Sequence, residues 1–273
     1  MSAVSLYDHL RFSARDDSEI RLTIDYASRG NQAKESDPIP TDHSNLICKT
    51  AELVRKIAVE EGHGDNCCGL DVHLLKNIPS AAGLGGASSN SAATLLATNR
   101  IWKLGWPKKK LVEISAKLGS DIPFFLTGAT AICRGRGEKI EPVSSPSRLS
   151  IVIAKPSDSL STAEVFANVD VESFETSRQD SSALLQGVQT GSLQTIGGHL
   201  FNRLEEFADP LSDQINYLRD EFKRLNSIGH QMSGSGSSYF GVFSSDKLAR
   251  LAAKSLSSRL PDVRIFCSHT LNP

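Results

Sequence analysis

Residues 78–96 read IPSAAGLGGASSNSAATLL. Glycine, alanine and serine crowd together, and a run of alanines and leucines follows. Glycines let a backbone come close to a ligand and adopt positive φ. The free N–H groups of a helix's first turn, with its dipole, favour an anion. Ser88 and Ser89 can cap such a helix and also offer hydroxyls to a phosphate or a bound Mg²⁺. Two familiar phosphate loops are excluded. The Walker loop needs a lysine after its last glycine, and none follows Gly86. The dinucleotide fingerprint needs G-x-G-x-x-G, whereas Gly83-Leu84-Gly85 runs into Gly86-Ala87-Ser88. The alternative is a helix entry that needs its glycines only for packing.

Other residues could join this chemistry. Asp121 lies in LGSDIPFF at 118–125. A carboxylate within reach of an alcohol can orient or deprotonate it; the alternative is a loop residue that hydrogen-bonds its own backbone. A second Gly/Ser segment, QMSGSGSSYFGVF at 231–243, runs into a strand pattern. Cysteines 48, 67, 68, 133 and 267 are odd in number and scattered, so they read as reduced thiols. Cys67 and Cys68 are adjacent and lack the spacing of a zinc site. The histidines show no ligand or triad spacing.

The elements that must position these residues follow from periodicity. Strand alternation occurs at 20–26 and 70–75, and helical spacing at 45–61, closed by Gly62 and Gly64. The glycine-rich stretch therefore sits between a strand and a helix predicted at 88–104. Pro107 opens another helix at 108–118, and Gly119 suits its cap. Residues 129–134 and 139–143 read as a hairpin around GRGE. The Ser/Pro-rich residues 144–148 read as a boundary. Beyond it lie a strand at 149–154, a short helix at 162–168 and a polar loop at 173–181. Helical patterns follow at 182–189, 193–207, 210–225 and 247–259, with a last strand at 263–267. Residues 27–44 read as a loop. Strands and helices mix in both halves, which argues for α+β.

The chain has 273 residues, more than one average domain needs. Its 30 basic and 31 acidic side chains nearly balance. That argues against nucleic acid or an anionic membrane as main partner. No apolar run approaches a membrane span, and MSAVSLYDHLRF lacks the features of a signal peptide. A cytoplasmic protein is expected.

The stretch PSAAGLGGASSNSAA resembles the P-x-x-x-G-L-G-S-S-x-x loop of the GHMP kinases, which include galactokinase and homoserine, mevalonate and phosphomevalonate kinases. The resemblance is greatest to the branch that acts on diphosphocytidyl methylerythritol in the non-mevalonate isoprenoid pathway. That branch carries P-x-x-x-G-L-G-G-G-S-S-[DN]-A-A; here Ala87 replaces a glycine and Ser91 precedes the alanines. Its L-G-[AS]-D-[VI]-P-F-F matches 118–125, its G-x-G-E turn 135–138, and its K-P-x-x-x-x-S-T-A-x-V-[YF] segment 155–166. Its N-[DR]-L-E matches 202–205 and its S-G-S-G-[SP]-[ST] loop 233–238. The matches keep the family's order over nearly the whole chain.

The resemblance implies a two-domain α+β fold. Residues 1–146 would form an N-terminal ATP-binding domain like ribosomal protein S5 domain 2, and 147–273 a C-terminal ferredoxin-like α/β sandwich. It implies transfer of the γ-phosphoryl group of ATP, with Mg²⁺, to the 2-hydroxyl of diphosphocytidyl methylerythritol. Nucleotide would be held by Pro79, Ser80, Ala81, Ala82, Gly83, Leu84, Gly85, Gly86, Ala87, Ser88 and Ser89, with Ser88 placing the metal. Asp121 would be the base. Phe166 would stack on cytosine beside Thr162, although an aromatic on a helix is more often core. Gly234, Ser235 and Gly236 would close over phosphates and substrate with backbone N–H groups; a plain strand-entry turn is the alternative. The partner would be a small molecule, with no nucleic acid or membrane, and the protein a monomer or homodimer.

The family's opening motifs, P-[AS]-K-[IL]-N-L and G-x-R-x-D-G-Y-H, do not occur in these residues. MSAVSLYDHLRF resembles the segment just after them. The lysine that pairs with the aspartate, and the tyrosine and histidine that grip cytosine, are therefore expected to be missing. An unpaired sheet edge is expected with them, and weak or no phosphorylation by residues 1–273. Two other readings fit the motifs: another member such as homoserine kinase, which would lack the S-T-A-x-V-F segment, or a nucleotide-binding protein that has lost catalysis.

Overall fold

The computed structural model describes residues 1–27, 39–145, 147–169 and 181–271. Strands β1 (His9–Arg15), β2 (Ile20–Tyr26) and β3 (Gly69–Lys76) form the first sheet, in the order β1-β3-β2. The central β3 runs antiparallel to β1 and parallel to β2, with Val72 between Phe12 and Leu22. Among the described residues β1 and β2 are its edges. Alternation on β3 turns Leu70, Val72 and Leu74 inward and leaves Asp71 and His73 on the outer face. Residues 9–15, to which the sequence reading gave no element, are thus a strand. Their pattern is weak because Phe12 and Leu10 are only partly buried.

Two helices cover the inner face. Helix α1 (Leu46–Glu60) starts at Asn45, whose side chain accepts from the Ile47 N–H, and turns Ile47, Ala51, Val54 and Ala58 inward. Helix α2 (Gly86–Ile101) packs against it, and the buried hydroxyls of Thr50 and Ser91 meet at 2.6 Å. Leu95 and Trp102 complete this core. The Trp102 indole N–H donates to the Cys68 carbonyl at 3.0 Å. Helix α2 ends earlier than expected, because Lys103 and Gly105 take positive φ beyond it. Helix α3 (Lys108–Ser115) also ends a turn early, with 3₁₀-like bonds continuing to Leu118. The apolar run after Asp121 forms a short helix, α4 (Ile122–Thr127), and the expected hairpin is β4 (Ala131–Arg134) with β5 (Lys139–Pro142).

The second half holds the four-stranded sheet of β6 (Ser150–Lys155), β7 (Gly229–Met232), β8 (Tyr239–Phe243) and β9 (Arg264–His269). Its order β7-β8-β6-β9, antiparallel throughout, is the ferredoxin-like order anticipated from the resemblance. Every residue of β6 is buried, for a simple reason. Val152 and Ala154 face α9 (Asp213–Arg224) and α10 (Asp246–Arg259), in a core with Leu218, Phe222 and Leu256. Ile151 and Ile153 face the first half, in a separate cluster with Leu6, Ile78 and Phe266, against which Leu84 packs. A strand covered on both faces reads as a continuous apolar run.

Further short helices among the described residues are α5 (Thr162–Ala167), α6 (Ser182–Thr190), α7 (Leu193–Gly198) and α8 (Leu204–Ala208). The single helix expected at 193–207 is thus broken. Gly197 and Gly198 favour helix weakly, and Gly197 presses on the entry to β7, where a Cβ would lie 2.4 Å from the Ile228 carbonyl oxygen. Most of the expected loops at 27–44 and 173–181 lies outside the described residues. Among the described residues, no helix is long and apolar enough to cross a membrane.

Leu95 is fully buried on the helix that carries the glycine-rich stretch. Leu95→Ala should lower unfolding free energy by about 2–5 kcal/mol, read by denaturant titration with an unchanged slope.

A candidate site where two glycine loops meet

The expected arrangement of strand, glycine-rich turn and helix is present: β3, residues 77–85, then α2. The last loop residue, Gly85, takes a left-handed φ of 65° and leads straight into the helix. Ser88 and Ser89 therefore do not cap it, contrary to expectation. The helix has no side-chain cap, and the Ser89 hydroxyl donates to the Gly86 carbonyl at 2.9 Å. Both serines lie within the first turn of the helix rather than ahead of it, because the glycines themselves make its entry. The first N–H groups of α2 are left for another acceptor.

Loop residues differ in exposure. Pro79 and Ala82 are buried, while Ala81 and Ala87 face outward. Ser80 is half-buried and not without a partner. Leu84 packs into the cluster between the halves.

The loop at 233–238, from the second half, sits directly on this turn. Ser233 Oγ donates to the Gly83 carbonyl at 2.9 Å, and the Ser238 N–H donates to the Ala82 carbonyl at 3.3 Å. Gly83 has a φ of 67°, and a Cβ there would lie 1.9 Å from the Ser233 carbonyl oxygen. Only glycine fits. The approach is mutual, since a Cβ on Gly234 would lie 3.1 Å from the Gly83 carbonyl oxygen.

Asp121 reaches the same place by another route. It precedes α4, and four residues on Phe125 lays its ring over Gly85, 2.8 Å from where a Cβ would be. The glycine turn of the β4–β5 hairpin flanks it: a Cβ on Gly137 would lie 3.6 Å from Asp121 Oδ1. The Asp121 side chain makes no cap bond and, among the described residues, no hydrogen bond or ion pair. The alternative of a carboxylate satisfied by its own backbone is therefore not what is seen. Its charge reaches Cys133, whose thiol is pushed up first by burial and further by Asp121.

The remaining segments gather round the second loop. Thr162 Oγ1 and Ser235 Oγ meet at 2.8 Å. Phe166, on the same short helix as Thr162, is 56% exposed, so it is not a core aromatic. The buried Lys155 ammonium donates to the carbonyls of Pro156 and Asp158, both at 2.8 Å, and Ser237 Oγ donates to Asp158 at 2.5 Å. Gly236 bonds back through its N–H to Ser233 at 2.9 Å.

The protein matches the GHMP kinases N terminal domain over residues 45–129 and the GHMP kinases C terminal region over residues 184–262. The chain belongs to the GHMP kinase family. A 4-diphosphocytidyl-2-C-methyl-D-erythritol kinase of Alkaliphilus metalliredigens is 36% identical over 257 residues, covering 94% of this chain and 82% of the relative. The kinase of the same name from Pelotomaculum thermopropionicum is 32% identical over 273 residues, covering 100% and 88%. A crystal structure of 4-(cytidine 5'-diphospho)-2C-methyl-D-erythritol kinase superposes with a TM-score of 0.76 at 28% identity, covering 99% of this chain and 88% of that one. Homoserine kinase from Cytophaga hutchinsonii superposes at 0.74 with 15% identity, which shares the fold alone. The fold of this chain is the two-domain α+β fold of the GHMP kinases.

Within that GHMP kinase fold, the structure gives contacts to two residues that the sequence marks only as the ends of the N-R-L-E match. Asn202 donates to the carbonyls of Met232 (2.9 Å) and Gly234 (2.8 Å), gripping the entry to the second loop. Glu205, three residues on, accepts from the Met232 N–H at 2.9 Å and from Arg219 and Tyr239. Burial, with the Glu205 charge beside it, pushes the Tyr239 hydroxyl up, and burial pushes His230 down. The N-R-L-E motif could have pointed here: an asparagine and a glutamate three apart can face one neighbour.

If the two loops lean on each other through Gly83, Gly83→Ala should open that contact. The overlap should cost about 1–3 kcal/mol. Amide exchange at 233–238 should quicken by about tenfold or more while exchange in α1 is unchanged. Unaltered exchange at 233–238 would show that the second loop does not lean on Gly83.

Proposed function

We propose that the protein transfers the γ-phosphoryl group of ATP to the 2-hydroxyl of 4-diphosphocytidyl-2-C-methyl-D-erythritol, in isoprenoid precursor synthesis. The observation that carries this reading is the convergence at the start of α2: the turn at 83–86, the docked loop at 233–238, and the unpartnered carboxylate of Asp121. The kinases named above, 36% and 32% identical over nearly the whole chain, support the substrate.

In this reading the backbone of Gly83, Leu84, Gly85, Gly86, Ala87 and Ser88, with Ser89, cradles the phosphates. It uses the free N–H groups and the positive end of the α2 dipole. Pro79, Ser80, Ala81 and Ala82 hold the loop's entry. Gly234, Ser235 and Gly236 cover the phosphates from the second half. Thr162 and the exposed Phe166 take the cytidine end, the ring by stacking. Asp121 accepts the proton of the substrate hydroxyl as its oxygen attacks the γ-phosphorus. The bond from that phosphorus to the β–γ bridging oxygen breaks, and ADP leaves with the bond's electrons.

Ser88 has a hydroxyl that makes no hydrogen bond among the described residues, and Asp121 offers carboxylate oxygens. A hydroxyl and a carboxylate are hard oxygen donors, which suit Mg²⁺. Mg²⁺ held by Ser88 beside the cradle would neutralise charge on the phosphate oxygens. The division into domains 1–146 and 147–273 belongs to the same proposal. It is supported by separate cores on either side of that boundary.

Two substitutions distinguish the roles. Asp121→Asn should leave ATP binding intact and slow the chemical step by on the order of 10²–10⁴-fold. Phe166→Ala should weaken substrate binding by about 1–3 kcal/mol, the scale of base–aromatic stacking, with little effect on turnover at saturation. Calorimetric affinities and steady-state rates read both, taken on the chain extended ahead of residue 1 with the family's opening lysine and Tyr-His motifs. Asp121→Asn with reduced ATP affinity and unchanged turnover would make Asp121 structural.

A further inference from the structure

Beneath the glycine-rich turn lies a charged pair that the proposed chemistry does not use. Asp8 precedes β1, and its side chain is 1% exposed; Lys76, the last residue of β3, has a side chain 6% exposed. Ion pairs this deeply buried are retained at a desolvation cost, so what the pair holds is informative.

All four acceptor positions of the Asp8 carboxylate are engaged. Oδ1 accepts the backbone N–H groups of Asn77 (2.7 Å) and Ile78 (2.8 Å). Oδ2 accepts the Lys76 ammonium (2.8 Å) and the side-chain amide of Asn90 (2.9 Å). These donors are not scattered. Lys76 ends the strand, Asn77 and Ile78 open the loop, and Asn90 lies in the first turns of α2. One carboxylate therefore fixes both ends of residues 77–85. Lys76 also donates to the Ile78 carbonyl, and a Cβ on Gly86 would lie 3.3 Å from its Nζ and 3.1 Å from Ile78 Cγ2. The staple thus touches the first residue of the helix whose N–H groups face the candidate phosphate site.

We propose that Asp8 is a positioning residue for nucleotide phosphate: it sets the span between strand and helix so that the N–H groups of 83–88 converge on one anion. This rests on the reading that those residues cradle the phosphates. A cradle of N–H groups works only if the loop is ordered before the ligand arrives, and displacements near 1 Å are costly. The two functions of Asp8 can be separated. Its charge offsets Lys76; its oxygens anchor the N–H groups of Asn77 and Ile78. An asparagine keeps an oxygen for those N–H groups, and its own amide can donate to Asn90 once Asn90 turns its oxygen inward. It cannot offset the ammonium.

The test measures calorimetric affinity for Mg²⁺ with a non-hydrolysable ATP analogue, and separately for the diphosphocytidyl substrate, well below each variant's melting temperature. In a Lys76→Met background, which removes the charge, Asp8→Asn should bind the analogue within about threefold of Lys76→Met alone. Asp8→Ala in the same background should bind it about tenfold or more weakly. Substrate affinity should be unchanged in both, which a general loss of structure would not give. Wild-type analogue affinity in Asp8→Ala/Lys76→Met overturns the proposal. If that variant does not fold, Asn90→Ala carries the test: analogue binding weaker by roughly threefold or more supports the proposal, and unchanged binding overturns it. Gly85→Val, which blocks backbone approach, separates the two readings. Unchanged analogue binding there overturns the cradle and the proposal together. Its loss there, with wild-type binding in Asp8→Ala/Lys76→Met, overturns the proposal alone.

Discussion

The contact on which the rest depends is the approach of two backbones at Gly83. A single methyl group there would lie 1.9 Å from the Ser233 carbonyl oxygen. For the loops to meet so closely, the two sheets must be held at fixed separation. The cluster of Ile78, Ile151, Ile153 and Phe266 does this, facing one sheet's buried surface toward the other half. The short segment at the start of the chain adds a second fastening: Ala3 and Ser5 donate backbone bonds to Ala129 and His269, one in each half. Two loops that approach this closely need such rigidity, because groups on separate loops can act on one ligand together only if neither has to move.

Buried polar groups carry the fine adjustment. Asn202 and Glu205 grip the strand that leads into the second loop, and Lys155 pins the turn whose Asp158 carbonyl receives Ser237. Each of these donors or acceptors is tied to backbone, and Glu205 to the side chains of Arg219 and Tyr239 as well. Backbone atoms have little freedom once their strand is paired, so such bonds fix a loop's path. In a low-dielectric interior, satisfied networks of this kind are strong and their partial loss is costly. The charge-assisted bonds of Arg219 to Asp209 and Glu205 add to this, holding the guanidinium charged well above its ordinary range.

Much of the fold was legible because it rests on local rules. Alternation at 20–26 and 70–75, the helical spacing of 45–61, and the GRGE hairpin all reflect one face buried and one exposed. The glycine-rich turn was legible for its composition. What escaped were features set by partners distant in sequence. β1 was missed because its apolar residues are only half covered. The helical spacing at 193–207 runs through Gly197 and Gly198, a weak local break, and the contact of Gly197 with Ile228 that fixes the break lies far along the sequence. Residue type suggests Ser88 and Ser89 as caps, while the actual entry is made by φ at Gly85. Asp8 had no motif at all: its four partners lie 68 to 82 residues away.

Three acidic side chains show how position, not residue type, divides the work. Asp8 is buried with every acceptor engaged, so it is suited to hold a shape and not to exchange a proton. Glu205 is bound to Arg219, Tyr239 and the Met232 N–H, and likewise stays committed. Asp121 is exposed and unengaged, beside the glycine turn of the β4–β5 hairpin. A general base must have a free oxygen and a path to its substrate. Of the three, only Asp121 has both. The hairpin residue beside it, Gly137, has no side chain to cover that carboxylate.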